Sequence, residues 1–481
     1  MKPDIRRTKI VATVGPASSS SGMIRQLIEA GVNVFRLNFS HGDHRSHEEV
    51  IDTIRRVSSE RHLPVGILQD LGGPKIRLGV LSRDPLILPS GTYVHLFPGS
   101  VSNRDEFIPV QYHFLLEDIS EGDPILMADG TIEMLVEKKE KESLIARIIV
   151  GGIIRSYKGV NLPSSNLRIK AFTDKDHDDL IFGLKKEVDF IALSFIRHED
   201  DLNPVFDALK DQDYRPAVIA KIEKPQAVER LQQILQKVDG VMVARGDLGV
   251  EMPLERVPIL QKAIIEAARL KAKPVITATQ MLGSMTDNPR PTRAETSDVA
   301  NAILDGTDAV MLSEETALGR YPIEAVKTMH RIAVETERHI QHLLRGETLR
   351  SSPGVSSGDN TDVNEAIGKS ACTIAEELEA VAIVASTESG TTARIVSKFR
   401  PRAPIVAITH DAYTYRKLSL SWGVFPVLTP KFATTDEMFD LARKWAVSQG
   451  IARSGDVLVI TAGVPVGIRG TTNLIKVLKV S

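Results

Sequence analysis

Eight short apolar runs rich in Val and Ile recur along the chain, and amphipathic helical patterns separate most of them. Neighbouring parallel strands need a crossover connection, which is usually a helix, so this alternation is typical of a parallel β/α architecture. Eight strand–helix units predict an α/β fold, a (β/α)8 TIM barrel, with its active site at the carboxyl ends of the strands. A doubly wound open sheet is the alternative. The runs cover residues 8–15, 33–40, 64–70, 190–196, 217–223, 240–244, 274–280 and 308–315.

The alternation is interrupted between about residues 76 and 157, where short strand patterns and turns replace it. The pair Asp129–Gly130 is a hairpin signal within this stretch. Because a segment inserted after the third strand leaves the barrel on its active-site face, we expect it to act as a lid. We therefore predict a small β-barrel lid domain at residues 75–157, inserted into a catalytic barrel formed by residues 1–74 and 158–345.

Beyond the barrel, the chain continues with a polar stretch and then a second set of strand patterns. Residues 346–362 are rich in Ser and Gly, which predicts a linker. The later apolar runs VAIVAS, PIVAIT, VFPVL and VLVITAG predict a C-terminal α/β domain over residues 363–481.

Composition excludes several classes of protein. The 481 residues are enough for roughly two to four domains. A formal net charge of −2 gives no electrostatic reason to expect nucleic acid or an anionic membrane as a partner. The single cysteine, Cys372, cannot form an intramolecular disulfide, which fits a reducing compartment. No apolar run approaches the ~18–20 residues that span a bilayer, and the N-terminus lacks the apolar core of a secretory signal, so we expect a cytoplasmic protein.

Polar side chains lie at the carboxyl ends of most of these runs. Lys221 and Glu223 are two residues apart, so on a strand both point to the same face. Asp247 follows the next run, in a turn opened by Gly246. One such residue is usually a solvated strand end, but recurrence at the same end of many runs predicts a site for an anion and a metal ion. The residues concerned are Arg36, Asn38, Ser40, Asp70, Lys221, Glu223, Asp247, Thr279, Ser313 and Glu315.

Long motifs follow one another in order along the proposed barrel. They are TKIVATVGPAS, RLNFSHG, DLGGPKIR, KGVNLP, SFIR, KIEKP, MVARGDLG, ATQML, PRPTRAETSDVANAILDG and MLSEETA. Together they resemble the motifs of the pyruvate kinase family. The resemblance implies a homotetrameric glycolytic enzyme with barrel, lid and C-terminal effector domains. It also implies phosphoryl transfer from phosphoenolpyruvate to ADP, which gives pyruvate and ATP.

The resemblance implies how the moving phosphoryl group is held. Phosphoryl transfer depends mostly on positioning and charge neutralisation, and the cations would be Arg36, Lys221 and a divalent ion. Glu223 and Asp247 would ligate that ion, and carboxylate ligands without His or Cys favour Mg²⁺ or Mn²⁺ over Zn²⁺. No GxxxxGK[ST] loop and no protein-kinase motif set is present, so the nucleotide is not held in those ways.

Further roles follow from the same resemblance. The substrate carboxylate would meet the backbone N–H groups of Gly246 and Asp247 and the side chain of Thr279. A relay that protonates the enolate is expected near Thr279, Ser313 and Glu315. The implied catalytic residues are therefore Arg36, Lys221, Thr279, Ser313 and Glu315.

The resemblance places ADP beside Arg77 and Lys158, with Asn38 and His41 nearby. Asp129, in the predicted lid, would meet the site when the lid closes. The alternative to a binding role for His41 is that it is an ordinary loop histidine in a Ser-His-Gly turn.

The region that resembles the family's monovalent-cation site comprises Asn38, Ser40, Asp70, Leu71 and Lys75. Members that need K⁺ carry Thr where this chain has Leu71, and Glu where it has Lys75. The Lys75 ammonium would supply the charge that K⁺ otherwise provides, so we expect activity without an added monovalent cation. The alternative is a surface lysine at the lid hinge.

A loop rich in Ser, Thr and Gly follows a strand of the C-terminal domain and opens a helix, an arrangement that suits phosphate. Such a loop is also ordinary helix capping. By resemblance it would bind a phosphosugar or nucleotide effector. The residues of this phosphate loop are Ser386, Thr387, Glu388, Ser389, Gly390 and Thr391.

Two other functions are open on the residues alone. A Mg²⁺-dependent lyase or aldolase of the phosphoenolpyruvate/pyruvate barrel group would also use a Glu and an Asp as metal ligands. It would have no use for Arg77 and Lys158. A non-catalytic binding protein on a degenerate barrel would have lost catalytic groups, whereas all of those named above are present.

Overall fold

Eight parallel strands close into a barrel in the computed structural model, which describes residues 6–128, 130–163, 167–346, 362–465 and 471–481. Each strand pairs with its neighbours in chain order, and the last pairs with the first, so the barrel sheet has no free edge. The predicted (β/α)8 barrel is confirmed. The strands are β1 (Lys9–Thr13), β2 (Val34–Asn38), β3 (Gly66–Asp70), β4 (Phe190–Leu193), β5 (Ala217–Ile222), β6 (Gly240–Ala244), β7 (Val275–Ala278) and β8 (Ala309–Leu312).

The barrel strands are buried on both faces, which is why their sequences read as continuous apolar runs. One apolar cluster fills the inside of the barrel and includes Val11, Leu68, Phe190 and Met242. A larger cluster lies between the strands and the surrounding helices. Most charged side chains of the barrel lie near its two ends, which we call the mouth (carboxyl ends of the strands) and the floor (amino ends).

Helices connect the strands and cover the outside of the barrel. Ser20 caps the helix Ser21–Ala30 by accepting the N–H of Met23, and Gly31 ends that helix at a φ of 113°. The other helices of this region are His44–Glu60, Asp174–Lys185, Asn203–Leu209, Pro225–Glu229, Leu231–Lys237, Arg245–Glu251, Val257–Leu270, Arg293–Leu304, Glu314–Ala317 and Pro322–Gly346. Three 3₁₀ turns accompany them, at Glu199–Leu202, Leu254–Arg256 and Gly283–Thr286.

A separate β-structure with its own apolar core is inserted between β3 and β4. Pro124–Met127 and Ile132–Lys139 pair antiparallel on either side of the predicted hairpin, although Asp129 itself lies outside the described residues. A mixed six-stranded sheet contains Tyr93–Pro98, Phe107–Val110, Pro124–Met127, Ile132–Lys139, Leu144–Val150 and Val160–Asn161. A two-stranded ribbon of Leu86–Leu88 and Gly152–Ile154 and a short helix, Leu115–Asp118, complete it.

The C-terminal residues form an α/β domain with one five-stranded sheet, as predicted. Its strands lie in the order Val424–Leu428, Ile405–Thr409, Ala382–Ser386, Val457–Ala462 and Leu474–Lys479, and only the last is antiparallel to its neighbour. Its helices are Val363–Glu377, Thr391–Lys398, Ala412–Lys417 and Thr435–Ser448, with a 3₁₀ turn at Leu418–Leu420.

The exact residues at which the domains divide stay a prediction. The predicted linker at 346–362 lies almost entirely outside the described residues. Within the part of the chain that is described, none of the helices is both long and apolar enough to cross a bilayer.

One hydrogen-bonding arrangement occurs four times at the barrel floor. The residue immediately before each even-numbered strand accepts, with a side-chain oxygen, the backbone N–H of the preceding odd-numbered strand. The pairs are Asn33 with Ile10 at 3.0 Å, Asp189 with Ile67 at 2.8 Å, Asp239 with Val218 at 2.9 Å and Asp308 with Val275 at 3.0 Å. These bonds satisfy N–H groups at the start of the strands and fix the register of each strand pair.

The C-terminal domain packs against this floor. The second carboxylate oxygen of Asp189 accepts from Arg416 at 2.7 Å, and that of Asp308 accepts from Arg400 at 3.1 Å. Leu420, in the 3₁₀ turn, belongs to the apolar cluster inside the barrel. The two aspartates therefore bind barrel backbone with one oxygen and the C-terminal domain with the other.

Candidate active site

Three acceptors surround the ammonium group of Lys221 at the mouth. Its Nζ lies 2.7 Å from Glu223 Oε1 and 3.4 Å from Asp70 Oδ1, and it donates to the Ser194 hydroxyl at 2.7 Å. Burial by itself would lower the pKa of Lys221, but the carboxylates of Asp70, Glu223 and Asp247 outweigh burial and raise the pKa above its ordinary value. The ammonium is therefore charged at any physiological pH and fixed in direction.

Arg36 points into the same region from β2. Its Nε donates to Asp70 Oδ2 at 2.6 Å, and its Nη1 donates to the Thr13 hydroxyl at 3.1 Å. Burial would raise the pKa of Asp70, but the charges of Lys221 and Arg36 outweigh it and leave the pKa below the usual range. Asp70 is thus an ionised carboxylate that holds two cations side by side.

Glu223 and Asp247 provide two carboxylates near these cations. Burial, together with the Asp247 carboxylate, raises the pKa of Glu223 to about 7 against the opposing charge of Lys221. One Glu223 oxygen binds Lys221, and the other accepts the backbone N–H of Phe195 at 2.8 Å. The Asp247 carboxylate accepts no hydrogen bond from the described residues. The prediction that Asp247 lies in a turn is wrong, because it lies in the first turn of the helix Arg245–Glu251.

These two carboxylates fit a hard divalent cation. The described residues contain no cluster of three or more His, Cys, Asp or Glu side chains that could hold a metal ion. Mg²⁺ commonly takes only one or two protein carboxylates and completes its shell with water and substrate oxygens. A cation between Glu223 and Asp247 would also compensate two like charges, one of them fully buried.

The chain at the end of β7 adopts an unusual backbone conformation. Thr279 and Gln280 have φ values of 72° and 53°, a region that costs a β-branched residue free energy. The Thr279 hydroxyl accepts the N–H of Gly246 at 2.7 Å and donates to the carbonyl of Ala278 at 2.6 Å. Phe195, whose N–H binds Glu223, also has a positive φ, of 57°. Strained residues therefore lie at the ends of two strands beside the same site.

Ser313 and Glu315 occupy different positions relative to the cleft. Both oxygens of the buried Glu315 carboxylate accept backbone N–H groups, one from Leu282 at 3.0 Å and one from Ser313 at 2.6 Å. Glu315 therefore ties the ends of β7 and β8 together. The Ser313 side chain forms no hydrogen bond with the described residues, so its hydroxyl is available to a ligand.

A cleft of about 420 Å³ opens at the mouth, between the barrel and the base of the inserted domain. Apolar side chains such as Leu162, Ile169 and Phe195 form part of its wall. Six of the predicted residues line it: Lys75, Gly246, Asp247, Thr279, Ser313 and Glu315. Arg36, Lys221 and Glu223 are connected to this cleft through the contacts described above.

Arg77 and Lys158 lie on neighbouring segments at the base of the inserted domain. Arg77 forms a β-bridge with Gly159 and donates to the carbonyl of Tyr157 at 3.1 Å. The Lys75 Cε lies 3.1 Å from the point that a side chain at Gly159 would occupy. Three cationic residues therefore lie on adjoining segments at the base of the inserted domain, but of the three only Lys75 is among the residues that line the cleft.

Asn38 is the last residue of β2, and His41 lies in the turn that follows. The Asn38 side chain accepts the N–H of Ser40 at 3.1 Å. The side chain of His41 is exposed, and its backbone carbonyl lies 2.9 Å from the Nε2 atom of His47. The structure therefore does not bring the His41 ring to the metal-side groups.

Lys75 does not reach the other residues of the predicted monovalent-cation region. It is exposed and forms no ion pair within the described ranges, while Asp70 is paired with Arg36 and Lys221. Leu71 is buried, and its carbonyl accepts the Ser194 hydroxyl at 2.8 Å. The replacement of K⁺ by Lys75 stays a prediction.

Sequence reasoning missed several residues that shape the site. Ser194 bridges Lys221 and the backbone of β3, and Arg245 binds the strained segment after β7. Lys224 and Glu251 form a buried pair at 2.6 Å in the cleft wall. Most of these residues belong to the SFIR, KIEKP and ARGDLG motifs. A motif identifies the residue, but it does not show which neighbouring group the side chain binds in the folded protein.

In the C-terminal domain, the predicted phosphate loop connects the strand Ala382–Ser386 to the helix Thr391–Lys398. Gly390, at a φ of 81°, makes the turn into the helix. The hydroxyls of Ser389 and Thr391 lie 3.0 Å apart, and Arg394 donates to the carbonyl of Ser389 at 3.2 Å. Thr387 is buried, and the carbonyl of Glu388 accepts from Thr414 at 2.6 Å. The loop is thus held by its own hydroxyls and one arginine.

Comparison with known proteins agrees with this geometry. Residues 5–326 match the family described as "Pyruvate kinase, barrel domain", and residues 365–478 match "Pyruvate kinase, alpha/beta domain". Pyruvate kinase 2 of Synechocystis sp. is 48% identical over 98% of this chain and 79% of its own length. The pyruvate kinase of Clostridium acetobutylicum is 43% identical over 98% of this chain and 99% of its own. The crystal structure of a pyruvate kinase from Cryptosporidium parvum superposes with a TM-score of 0.90 at 35% identity, covering 99% of this chain and 96% of that one.

Proposed function

Because this chain belongs to the pyruvate kinase family, we propose that its barrel mouth is where the phosphoryl group of phosphoenolpyruvate is transferred to ADP. The reaction of the family gives pyruvate and ATP and is the last step of glycolysis. The observation that carries the site assignment is the convergence of Lys221, Arg36, Glu223 and Asp247 at one end of the barrel. Two fixed cations beside two carboxylates are what a phosphoryl group and a divalent ion need.

Lys221 and Arg36 neutralise the phosphoryl group. The Lys221 ammonium is already oriented by three acceptors, so little reorganisation is needed when charge moves during transfer. Arg36 keeps part of its guanidinium free of Asp70 and Thr13 and grips the phosphate oxygens.

Glu223 and Asp247 hold Mg²⁺, for which Mn²⁺ can substitute. Held by these two carboxylates, such an ion would supply Lewis-acid stabilisation of negative charge on the substrate. Glu223 is positioned by the Phe195 N–H and by Lys221, so its free lone pairs face a defined direction.

The Thr279 hydroxyl and the backbone N–H of Asp247 bind the substrate carboxylate, whereas the N–H of Gly246 is already donated to that hydroxyl and orients it. The hydroxyls of Thr279 and Ser313 are the groups in the cleft that can pass a proton to the enolate. Glu315, whose oxygens are both used by backbone N–H groups, acts in this relay only by positioning Ser313.

ADP binds beside the adjoining segments that carry Arg77 and Lys158, with Asn38, His41 and Lys75 nearby. The positive charges of Arg77, Lys158 and Lys75 match the negative charge of a nucleoside diphosphate. Asp129 is the proposed contribution of the lid. A lyase or aldolase has no use for a nucleotide site, and relatives at 43–48% identity over nearly the whole chain favour phosphoryl transfer instead.

Three further properties belong to the proposal: a homotetramer, a cytoplasmic location and an effector site in the C-terminal domain. The loop from Ser386 to Thr391 offers hydroxyls and helix N–H groups to the phosphate of a phosphosugar or nucleoside monophosphate. The Glu388 carboxylate makes a highly charged bisphosphate a poorer ligand than a monophosphate.

The central test is a lactate dehydrogenase-coupled assay of pyruvate formation with the Lys221→Met variant. Loss of the fixed ammonium should lower kcat by about 10³-fold or more, because it removes a preorganised charge at the phosphoryl group. Lys327→Met, on the outer surface of the barrel, is the matched control and should be as active as the wild type. Equal rates from the Lys221 and Lys327 variants would contradict the site assignment.

The effector site has a separate test. Ser389→Asp places a second carboxylate in the loop and should abolish activation by sugar phosphates and nucleoside monophosphates, while the activity without effector is retained. Undiminished activation would contradict the phosphate-loop proposal and leave the barrel assignment intact.

A further inference from the structure

Thr279 contacts the substrate in the proposed function, yet its backbone lies in a conformation that it would not adopt unaided. Two consecutive non-glycine residues, Thr279 and Gln280, have positive φ values. A residue with a branched β-carbon is especially disfavoured there, and such conformations persist only where neighbouring groups enforce them. Some other part of the molecule must therefore hold this segment.

Arg245 is the group that does so. Its Nε donates to the carbonyl of Ala278 at 3.2 Å, and its Nη2 donates to the carbonyl of Thr279 at 2.7 Å. The same Nη2 lies 2.8 Å from the sulfur of Met281. The guanidinium fork thus spans the peptide groups on both sides of Thr279 and the residue that follows the second positive φ.

The other side of the guanidinium is anchored to two outer helices. Nη1 donates to Asp298 Oδ1 at 2.7 Å and lies 3.5 Å from Gln261 Oε1. Every N–H direction of the planar guanidinium is therefore used, which a lysine could not reproduce because an ammonium has no such fork. Because its nitrogens are occupied by these protein groups, Arg245 does not bind the substrate itself.

We infer that Arg245 is a positioning residue for the reaction: it holds the left-handed backbone at Thr279 and so fixes the Thr279 hydroxyl at the cleft, where its O–H, now donated to the Ala278 carbonyl, turns to the substrate carboxylate. The inference rests on the role proposed for Thr279. Without the fork, the segment would relax toward ordinary φ values, and the hydroxyl would leave the N–H of Gly246 that it now accepts.

The experiment measures kcat, the KM for phosphoenolpyruvate and the KM for ADP in Arg245→Lys, with thermal unfolding recorded in parallel. We expect kcat/KM for phosphoenolpyruvate to fall by about 10- to 100-fold, the scale of a misplacement near 1 Å, with the KM for ADP unchanged. Guanidinium ion added to Arg245→Ala should restore part of the lost rate.

Two controls separate the possible outcomes. Arg256→Lys changes an exposed arginine in the adjoining segment and should keep a KM for phosphoenolpyruvate near the wild-type value, whereas Asp298→Asn, which weakens the anchor of Arg245, should raise this KM less than Arg245→Lys does. A lower melting temperature in Arg245→Lys with unchanged kinetic constants, or equal increases in both KM values, would overturn the inference.

Thr279→Ala distinguishes this failure from that of the proposed function. If Thr279→Ala is as active as the wild type, the role of Thr279 is wrong, and the inference about Arg245 falls with it. If Thr279→Ala is impaired but Arg245→Lys is not, only the inference about Arg245 is wrong.

Discussion

Buried lysines lie at both ends of the barrel, and the surroundings of Lys221 at the mouth differ from those of Lys9 at the floor. At the mouth, carboxylates surround Lys221 and raise its pKa. At the floor, Lys9 donates to the carbonyl of Val424 at 2.6 Å, and its ammonium lies 4.8 Å from the centre of the Phe425 ring. Burial and the charge of Arg6 together lower the pKa of Lys9 to about 7, against weaker opposing carboxylates.

The difference shows how one scaffold separates chemistry from stability. Mouth groups keep charge and hydrogen-bonding capacity available, and the strained backbone at Phe195 and Thr279 is part of that arrangement. Floor groups are used up: Asp189 and Asp308 each bind a strand N–H and an arginine of the C-terminal domain. We therefore expect mouth substitutions to change rates and floor substitutions to change stability.

The largest expected effect is that of Glu223→Gln at the mouth. The amide still accepts the Phe195 N–H but is a poor metal ligand, so kcat should fall by about 10³-fold or more. Urea unfolding should show equal or slightly higher stability, because a desolvated carboxylate has been removed. A variant with a rate within tenfold of the wild type at saturating Mg²⁺, or one that is clearly destabilised, would break the comparison.

Asp308→Ala at the floor should do the reverse. It leaves Arg400 and the Val275 N–H without their buried acceptor, so the free energy of unfolding should fall by about 3–5 kcal/mol. The kcat of the folded enzyme should stay close to that of the wild type. Asp207→Ala, at an exposed helix position, is the control for removing a carboxylate. If Asp308→Ala lowered kcat without lowering the free energy of unfolding, the floor would contribute to the reaction, and the comparison between the two ends would be wrong.

Burial of Lys9 at the floor should make the stability of the protein depend on pH. Its pKa is about 7 in the folded protein and 10.5 in a model peptide, so between these values the unfolded chain binds more protons. The contribution of Lys9 to the free energy of unfolding should therefore rise with pH, by about 2 kcal/mol between pH 7 and pH 9. Lys9→Met should lack this rise, as measured by urea unfolding at both pH values. Parallel pH profiles of the two proteins would show that Lys9 does not titrate in this range.

The smallest expected effect concerns monovalent cations at the mouth. If Lys75 substitutes for K⁺, adding KCl to a buffer free of Na⁺ and K⁺ should change the rate little. The double substitution Leu71→Thr with Lys75→Glu should create a dependence on K⁺. The coupled assay, at ionic strength held constant with a bulky organic cation, measures both. Strong activation of the wild type by K⁺ would reject the substitution.

The mouth could be predicted from sequence because its signals are local. Polar residues that follow apolar runs identify the ends of the strands, and the geometry of a barrel brings those ends together. Lys221 and Glu223 were placed correctly on one face by their spacing alone. Asp247 was assigned to a turn because Gly246 precedes it, but the helix Arg245–Glu251 begins earlier than the glycine suggests.

Other features could not be read in this way. Positive φ values are associated with glycine, so the residue types Thr279 and Phe195 give no sign of the positive φ values that they adopt. The partners of Arg245 come from three other elements, which only the folded chain brings together. The fourfold repeat at the floor did have a signal: Asn33, Asp189, Asp239 and Asp308 each directly precede an apolar strand, which alignment of the eight runs on one another would have revealed.

The position of Leu420 has a consequence for how the chain can be divided. Because its side chain completes the apolar filling of the barrel, a fragment truncated before residue 363 would open that filling to water at one end. The same truncation would strip Asp189 and Asp308 of their arginines. We therefore expect the isolated barrel to be aggregation-prone, so the two regions matched by separate family descriptions are one cooperative folding unit rather than interchangeable modules.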